Sequence, residues 1–388
     1  MDTDVVLMRE EKLEIKLLGE SIVKNEGWYT DVVRHFDCDL LVAHGASWRK
    51  NLNDPDGGPW WQMSRNAGVT WEPYARPDND HDHRYGAMPF MSERGDGSVI
   101  GWAGAWNAEQ EYKGRPGQPI AQSVIRAPSW NALVEGQGER VPATIWIPYM
   151  VPLVGDDFKT LYTPAIWGKM VDAGEGHLVQ AVYPVLLHDQ APRLWTEQKA
   201  PAPKYRTCVI YSRDDGVTWH FLATVASALQ HPLPAQAEGY CEPDLLHFGG
   251  ANLLCVMRSG GSPTGTLMER CTPLVASMSK DGGLTWTPPS AIAAYGVKPV
   301  LLQMSNGLVA CLSGRPGFFL LFSADGGYTW STPHWVSESH GPWGRSASGY
   351  GELIEVEPGV LGVAYDEYVS SGNESKMVTK FRRYRMFR

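Results

Sequence analysis

The sequence predicts an all-β fold, a six-bladed β-propeller of four-stranded antiparallel sheets, and three observations lead to it. One eight-residue phrase recurs four times, six places carry an apolar hairpin pattern, and the last repeat lacks one strand while the N-terminal run offers one. A short turn phrase that returns at long intervals is typical of a repeat architecture. Six sheets closed in a ring form a propeller, so we expect residues 1–388 to be a single propeller domain.

The repeated phrase is interpreted as a structural turn. Its glycine allows a backbone conformation that is closed to other residues. Its serine and aspartate can hydrogen-bond the backbone of their own turn, and its tryptophan can pack the hairpin onto the sheet. The four copies are SRNAGVTW at 64–71, SRDDGVTW at 212–219, SKDGGLTW at 279–286 and SADGGYTW at 323–330.

Six hairpins define the repeating units. Strand-forming runs flank each turn, which is typical of paired strands. The runs are apolar at successive positions, as expected when neighbouring sheets cover both faces. In four units the phrase follows the hairpin, which places it between the third and fourth strands. The turns fall near Asp37, Gly95, Gly174, Gly250, Asn306 and Pro358.

Two units depart from this pattern. The second has only a degenerate stretch, IRAPSWNALVE, in place of the phrase, and the sixth ends in VTKFRRYRM without room for a fourth strand. We expect the N-terminal run near Lys12–Leu18 to supply that strand, because ring closure removes an exposed sheet edge. The Pro- and Trp-rich stretch 104–162 is predicted to be a loop elaboration of the second or third unit.

Composition limits the classes of function. A net charge of −9 argues against a nucleic-acid partner, which would need a basic face. No apolar run has membrane-spanning length. The six cysteines lack metal-ligand spacing, so we expect no metal and no cofactor. The start lacks a signal-peptide core, which leaves a cytoplasmic protein or a chain whose signal has been removed.

Candidate functional residues lie at one mouth of the predicted propeller. The starts of first strands and the ends of second strands meet there, and charge and phenol gathered at one mouth suit a small anionic or sugar-like ligand. Arg258 and Arg315 follow strongly apolar strands, and a buried Glu242 would need a cation. The first-strand candidates are Asp31, Lys169, Glu242, Lys298 and Tyr350, and the second-strand candidates are His44, Tyr183, Arg258, Arg315 and Asp366.

These motifs resemble the sialidase (neuraminidase) superfamily, whose repeated phrase is the Asp-box or BNR repeat. Its members carry a glutamate at the start of the fourth inner strand, matched by Glu242 in CEPDLL, and arginines in the fourth and fifth blades, matched by Arg258 and Arg315. A tyrosine begins the sixth blade, matched by Tyr350 in SGYGEL. The resemblance extends in architecture over nearly the whole chain.

The resemblance implies a glycosidase mechanism. In the family the tyrosine is the nucleophile, the glutamate polarises it, and three arginines grip a sugar carboxylate. A phenol needs an adjacent base because the neutral form is a weak nucleophile. Tyrosine is a recognised exception to the two-carboxylate scheme, and arginine matches carboxylates bidentately. Tyr350, Glu242 and Asp31 are thus the predicted catalytic residues, with Arg258, Arg315, Lys169, Lys298 and His44 binding substrate.

The chain departs from the family at the first inner strand. An Arg-Ile-Pro phrase should open it, but here the strand opens Trp28-Tyr29-Thr30-Asp31, and Arg34 lies further along. The family's acid/base aspartate follows the second strand of the first blade. Asp54 or Asp56 could take that place, and no motif selects between them or Asp31.

Three classes of function stay open on the sequence alone. The leading prediction is an exo-acting, sialidase-like, retaining glycosidase on a terminal sugar that need not be a standard sialic acid. The second is a polysaccharide lyase that abstracts a proton beside a uronate. The third is a non-catalytic carbohydrate-binding propeller. A lyase product would carry a new double bond, whereas a hydrolase releases a saturated reducing sugar.

Overall fold

The computed structural model describes residues 3–7, 12–25, 28–34, 40–45, 61–74, 91–102, 117–150, 166, 168–174, 176–192, 201–233, 237–260, 272–338, 348–371 and 374–387. The chain divides into two compact units. We call the first the terminal unit, Met1–Pro89, Ala127–Gly138 and Val300–Arg388, and the second the central unit, Phe90–Arg126 and Glu139–Pro299.

The chain opens with strands of two sheets. Strands β3 to β6 pair antiparallel in chain order as one four-stranded sheet, while β1 pairs with β2 and joins a sheet completed at the C-terminus. These strands are β1 (Thr3–Leu7), β2 (Lys12–Lys24), β3 (Trp28–Arg34), β4 (Leu40–Gly45), β5 (Trp61–Ser64) and β6 (Glu72–Tyr74).

The central unit contains an eight-stranded sheet in the order β11-β12-β15-β16-β10-β9-β8-β7. It consists of two four-stranded meanders joined where β10 and β16 pair in parallel. Its strands are β7 (Met91–Glu93), β8 (Val99–Trp102), β9 (Ile120–Ala127), β10 (Glu139–Trp146), β11 (Val171–Asp172), β12 (Leu178–Val182), β15 (Thr207–Ser212) and β16 (Thr218–Ala226). Strands β13 (Gln190–Pro192) and β14 (Pro201–Pro203) form a separate two-stranded sheet. The helix α1 (Trp130–Val134) follows β9 in the chain and belongs to the terminal unit.

The loop prediction for 104–162 is wrong in part, because β9 and β10 lie within it. β10 contains a proline and buries only two of its eight positions, Ala143 and Ile145, so its apolar signal is weak. α1, capped by Ser129, takes the position of the phrase between these strands. Over the described ranges, no helix combines the length and hydropathy that crossing a membrane would require.

Two further sheets follow, each with four strands in chain order. The first is β17 (Cys241–His247), β18 (Leu253–Arg258), β19 (Leu274–Ser279) and β20 (Ser290–Ala293). The second is β21 (Val297–Gln303), β22 (Val309–Gly314), β23 (Phe318–Ser323) and β24 (His334–Ser337).

The last sheet confirms the predicted pairing of the N-terminal run. Strands β25 (Glu352–Glu357), β26 (Val360–Ser371) and β27 (Glu374–Phe387) complete the order β1-β2-β27-β26-β25. β2 pairs antiparallel with β27 from the Glu14↔Phe387 pair onward. The β2 carboxylate of Glu20 accepts hydrogen bonds from Tyr365 Oη at 2.7 Å and Arg382 Nε at 2.5 Å.

The strands confirm an all-β fold with sheets covered on both faces. β12, β22 and β23 are buried at every position, which requires apolar neighbours on both sides of the sheet. In the terminal unit β23 packs in a core with Leu13 of β2 and Tyr384 of β27. In the central unit Val209 of β15 and Met257 of β18 belong to one core.

The four phrases form the same hydrogen-bonded turn. In each, the serine Oγ accepts from the backbone N–H of the glycine four residues on, at 2.8–2.9 Å. The Oδ1 of Asp214, Asp281 or Asp325 accepts from the threonine N–H at 2.8–2.9 Å, and Asn66 does the same in the first copy. The side chains of the phrase thus satisfy its own backbone.

The phrase tryptophans close these turns in two ways. The indole Nε1 of Trp219, Trp286 and Trp330 donates directly to a glycine carbonyl of its own turn at 2.8–3.0 Å. Trp71 instead donates to Ser21 Oγ of β2 at 3.0 Å, and that hydroxyl donates to Gly68 O at 2.6 Å. The first turn is therefore tied to the N-terminal strand through one hydroxyl.

Strand register places the phrases away from the candidate residues. Along β18, Leu253 lies opposite Ser279, which begins a phrase, whereas Arg258 lies opposite Leu274 and Cys241. The turn and the candidate residues therefore occupy opposite ends of the β17–β20 sheet.

Candidate functional site

Glu242 and Arg258 lie together in the central unit. Arg258 ends β18 and is opposite Cys241 of β17, so Glu242 follows at the same end of the sheet. Arg258 Nη1 donates to Glu242 Oε1 at 3.3 Å. Glu242 is only 6% exposed, and its burial is tolerated because the guanidinium supplies the cation that the sequence analysis required.

Lys298 also reaches Glu242, through its backbone. Its N–H donates to Glu242 Oε2 at 3.1 Å, so each carboxylate oxygen has a partner. The two residues occupy the same place in successive sheets, second in β17 and second in β21, and each precedes a proline.

The backbone at this end of the sheets is strained. Glu242 has φ +49° and Lys298 has φ +39°. Side chains with a Cβ rarely adopt positive φ, and the residue before proline is biased towards extended conformations. Such strain persists where the surroundings impose it and clusters at functional sites.

Arg258 has a second carboxylate partner that sequence reasoning missed. Its Nη2 lies 3.3 Å from Glu238 Oε2, and the side chains of Arg258 and Glu238 are 11% and 23% exposed. One guanidinium is thus shared by Glu238 and Glu242. Glu238 precedes β17, outside any strand pattern, and its spacing of four residues from Glu242 was the only available signal.

Cys241 is not a nucleophile at this site. Burial raises the pKa of its thiol well above the usual range, and the opposing effect of Arg258 is smaller. A buried neutral thiol is inert. The candidate reactive groups at this end of the strand are therefore the charged side chains of Glu242 and Arg258.

Lys169 and Tyr183 lie in the same unit. The Lys169 N–H donates to Asp244 Oδ1 of β17 at 3.4 Å. A Cβ on neighbouring Gly168 would stand 2.7 Å from Pro243 O, so only glycine permits this approach. Tyr183 is 4% exposed and packs edge-on against Tyr205 with ring centroids 5.1 Å apart, which makes it part of the interior.

Arg315 and Tyr350 lie together in the terminal unit. Arg315 follows β22, and its guanidinium carbon lies 5.3 Å from the centroid of the Tyr350 ring. Its Nε donates to Ser348 O at 2.9 Å. Tyr350 is 7% exposed. Arg315 has φ +56°, so a third predicted site residue shows the same strained backbone.

Asp366 fixes the turn that carries Tyr350. Its carboxylate, 0% exposed, accepts from Ser348 N at 2.7 Å and Ser348 Oγ at 2.5 Å. The same hydroxyl accepts from Tyr350 N at 3.0 Å. Asp366, predicted as a mouth residue, thus acts on Tyr350 through Ser348.

The remaining candidates are placed by backbone alone. Asp31 is the fourth residue of β3 and lies opposite Ala43, and His44 lies opposite Thr30. Arg34 is at the far end of β3, opposite Leu40, as the sequence suggested. Asp54 and Asp56 lie outside the described residues.

The structure therefore groups the predicted residues in two sets. The central unit holds Glu242, Arg258, Lys298 and Lys169, and the terminal unit holds Arg315 and Tyr350 together with the strands of Asp31 and His44. Convergence of the two sets on one substrate stays a prediction.

Comparison with protein families identifies the repeat. Residues 182–363 match the BNR repeat-like domain. This range contains three of the four phrases and also Glu242, Arg258, Arg315 and Tyr350. The resemblance to BNR-repeat proteins inferred from the motifs is thus confirmed over this range.

Comparison with solved structures shows a fold shared with one protein of similar length. A Dyadobacter fermentans protein of unknown function is similar at TM-score 0.61 and 15% identity, over 96% of this chain and 99% of that one. Trypanosoma rangeli sialidase has TM-score 0.44 at 14% identity, over 94% of this chain and 59% of that one. Xylan β-1,4-xylosidase from Bacillus halodurans has TM-score 0.37 at 10% identity, over 93% and 53%. Comparison with curated proteins gives no match.

Proposed function

We propose that this protein is an exo-acting, sialidase-like glycoside hydrolase built on a single six-bladed β-propeller. Five four-stranded antiparallel meanders support the propeller, and so does the last sheet, in which the N-terminal strand β2 pairs with β27. By pairing with β27, β2 covers an edge of that strand that would otherwise be unpaired.

The observation that carries the catalytic proposal is that the predicted residues occur as preorganised pairs. Glu242 is held by Arg258 and by the Lys298 N–H, and Tyr350 lies beneath the Arg315 guanidinium on a turn fixed by Ser348. Side chains fixed before substrate arrives do not have to reorganise during the reaction.

In the proposed mechanism Tyr350 Oη attacks the anomeric carbon and its proton passes to Glu242. The bond to the leaving-group oxygen breaks, and that oxygen takes a proton from an acid, for which Asp31, Asp54 and Asp56 are the candidates. Water then attacks the glycosyl-enzyme and gives a proton to the group that acted as the acid. Tyr350 leaves and takes its proton back from Glu242, and the released sugar has the original anomeric configuration. The Arg315 guanidinium beside the ring stabilises negative charge on the attacking phenol.

The proposed substrate is an uncharged terminal sugar. Arg258 is already shared by Glu238 and Glu242, so a substrate carboxylate would have to compete with two internal carboxylates for it. The first inner strand carries Asp31 where the family has an arginine. Both features disfavour binding of the carboxylate of a sialic acid by arginine side chains. Both are compatible with hydrogen bonds to sugar hydroxyl groups.

A substrate screen tests the class of reaction. We would incubate the full chain with 4-nitrophenyl glycosides of neutral sugars, a sialic acid glycoside and a panel of oligosaccharides, and analyse products by mass spectrometry. The proposal predicts a saturated reducing sugar from a neutral substrate and weak or absent cleavage of the sialoside. An unsaturated product would indicate a lyase, robust sialoside cleavage would refute the substrate, and binding without turnover would indicate a carbohydrate-binding protein.

A further inference from the structure

Two adjoining turns of the central unit display aromatic rings to solvent. The first spans Ile147 to Met150, with Met150 N donating to Ile147 O at 3.4 Å, and exposes Tyr149 by 60%. The second spans Leu186 to Asp189, closed by a 2.9 Å backbone hydrogen bond, and exposes His188. The two rings lie 5.7 Å apart between centroids at an interplanar angle of 52°.

Tyr149 occupies a place in its turn that disfavours tyrosine. It follows Pro148 and has φ +57°, and the residue after proline in a turn of this kind is ordinarily glycine. A bulky residue at positive φ is an outlier, and strain of this sort accumulates at ligand-binding positions. Because the side chain is mostly in solvent, internal packing does not explain why tyrosine stands there.

Backbone hydrogen bonds tie the two turns together. Leu187 N donates to Tyr149 O at 2.8 Å, and Gly117 N donates to Met150 O at 3.0 Å. The second turn is anchored by Asp189, which is 4% exposed and binds Arg206 through both oxygens at 2.6 and 2.8 Å. The turns that carry the rings are thus fixed, which lowers the entropy cost of binding a ligand.

We propose that Tyr149 and His188 form a carbohydrate-binding subsite for a neutral pyranose ring. The flat tyrosine ring offers a rigid contact area, and an imidazole can donate to or accept from a sugar hydroxyl. The charged pair that anchors the second turn, Asp189 with Arg206, is engaged internally, which favours an uncharged ligand. The choice of ligand class rests on the proposed function, because other neutral ligands with a flat apolar face would fit the same pair.

The test uses the full chain in wild-type and Tyr350→Phe forms, so that hydrolysis cannot consume the probe. Binding of xylotetraose and cellotetraose would be measured by isothermal titration and ligand-observed NMR, with sialyllactose as the charged probe. Tyr149→Gly should weaken binding of at least one neutral probe about tenfold or more, the equivalent of one stacking contact. Its melting temperature should not fall, since glycine relieves the positive φ.

Two controls complete the design. His188→Ala should weaken the same probe, and Tyr328→Ala, which removes a tyrosine 57% exposed in the terminal unit, should leave binding unchanged. Equal binding by wild type and Tyr149→Gly would overturn the subsite, as would a fall in melting temperature that accounts for the lost binding. Turnover of the aryl glycosides by wild type is scored separately, so the subsite and the hydrolase proposal can fail independently.

Discussion

The repeated turns and the candidate site both contain residues with positive φ, at opposite ends of a sheet. They differ in where the hydrogen bonds that hold these residues come from. In the turns these residues are mainly glycines such as Gly283 and Gly327, and the serine and aspartate of the same phrase satisfy the backbone. At the candidate site they are Glu242, Lys298 and Arg315, whose partners come from other strands and loops. A turn whose hydrogen bonds lie within eight residues can be predicted from those residues. A site whose contacts come from distant parts of the chain cannot be predicted from local sequence.

The largest expected effect breaks a turn at its tryptophan. Trp219 is 0% exposed and lies 5.1 Å from Trp102 between ring centroids, so Trp219→Ala should lower the free energy of unfolding by about 3–5 kcal/mol. Trp286 is half-buried, and Trp286→Ala should cost less. Urea unfolding measures both. Equal losses, or a folded Trp219→Ala that no longer binds ligand, would contradict the structural reading of the phrase.

The next prediction compares alanine substitutions at two turn glycines, one crowded by a neighbouring side chain and one not. A Cβ on Gly68 would stand 2.2 Å from Phe381 Cε1, whereas a Cβ on Gly282 would meet nothing within 4 Å. Both have positive φ, +82° and +74°. Gly68→Ala should destabilise by about 2–4 kcal/mol, because strain and overpacking add, and Gly282→Ala by about 1 kcal/mol. If thermal unfolding ranks them the other way, the packing of the first turn against β27 is wrong.

The hairpins and turns were predictable because their signals are local. Turn residues flanked by apolar runs predicted the positions of paired strands. The missing fourth strand of the sixth unit predicted that the N-terminal run pairs with the last sheet. β9 and β10 were missed because half-exposed strands among prolines lack that signal. Glu238 was missed because its role depends on Arg258, which is twenty residues away in sequence and adjacent only in the fold.

A third prediction tests the strain at Lys298. Lys298→Ala removes the side chain beyond Cβ and keeps the strain of a Cβ at positive φ, whereas Lys298→Gly removes both the side chain and the strain. The glycine variant should therefore be the more stable of the two by about 1 kcal/mol, the reverse of the order at an ordinary strand position. Unfolding by guanidinium chloride measures the free energy of unfolding of both variants. If the alanine variant is the more stable, the backbone at Lys298 is not strained.

The smallest effect is a change in pH dependence. A hydrogen bond from Thr285, aided by Ser279, lowers the pKa of Asp281 to about 2 from an ordinary 3.8. A depressed carboxyl pKa stabilises the fold above the unfolded value, and that contribution is lost as pH falls from about 4 to about 2. Asp281→Asn, which copies Asn66 of the first phrase, should flatten the stability profile in this window only. An unchanged profile would show that Asp281 does not contribute.

The catalytic roles of Tyr350 and Glu242 are the central claim, and comparing wild type with Tyr350→Phe on the best substrate of the screen tests them most directly. Phenylalanine keeps the ring beneath Arg315 and removes only the reacting oxygen, so kcat should fall by about 10³-fold or more while substrate affinity and unfolding stability stay near wild type. Glu242→Gln, which can still accept from the Lys298 N–H, should also lose turnover without unfolding. Full activity in Tyr350→Phe would contradict the mechanism.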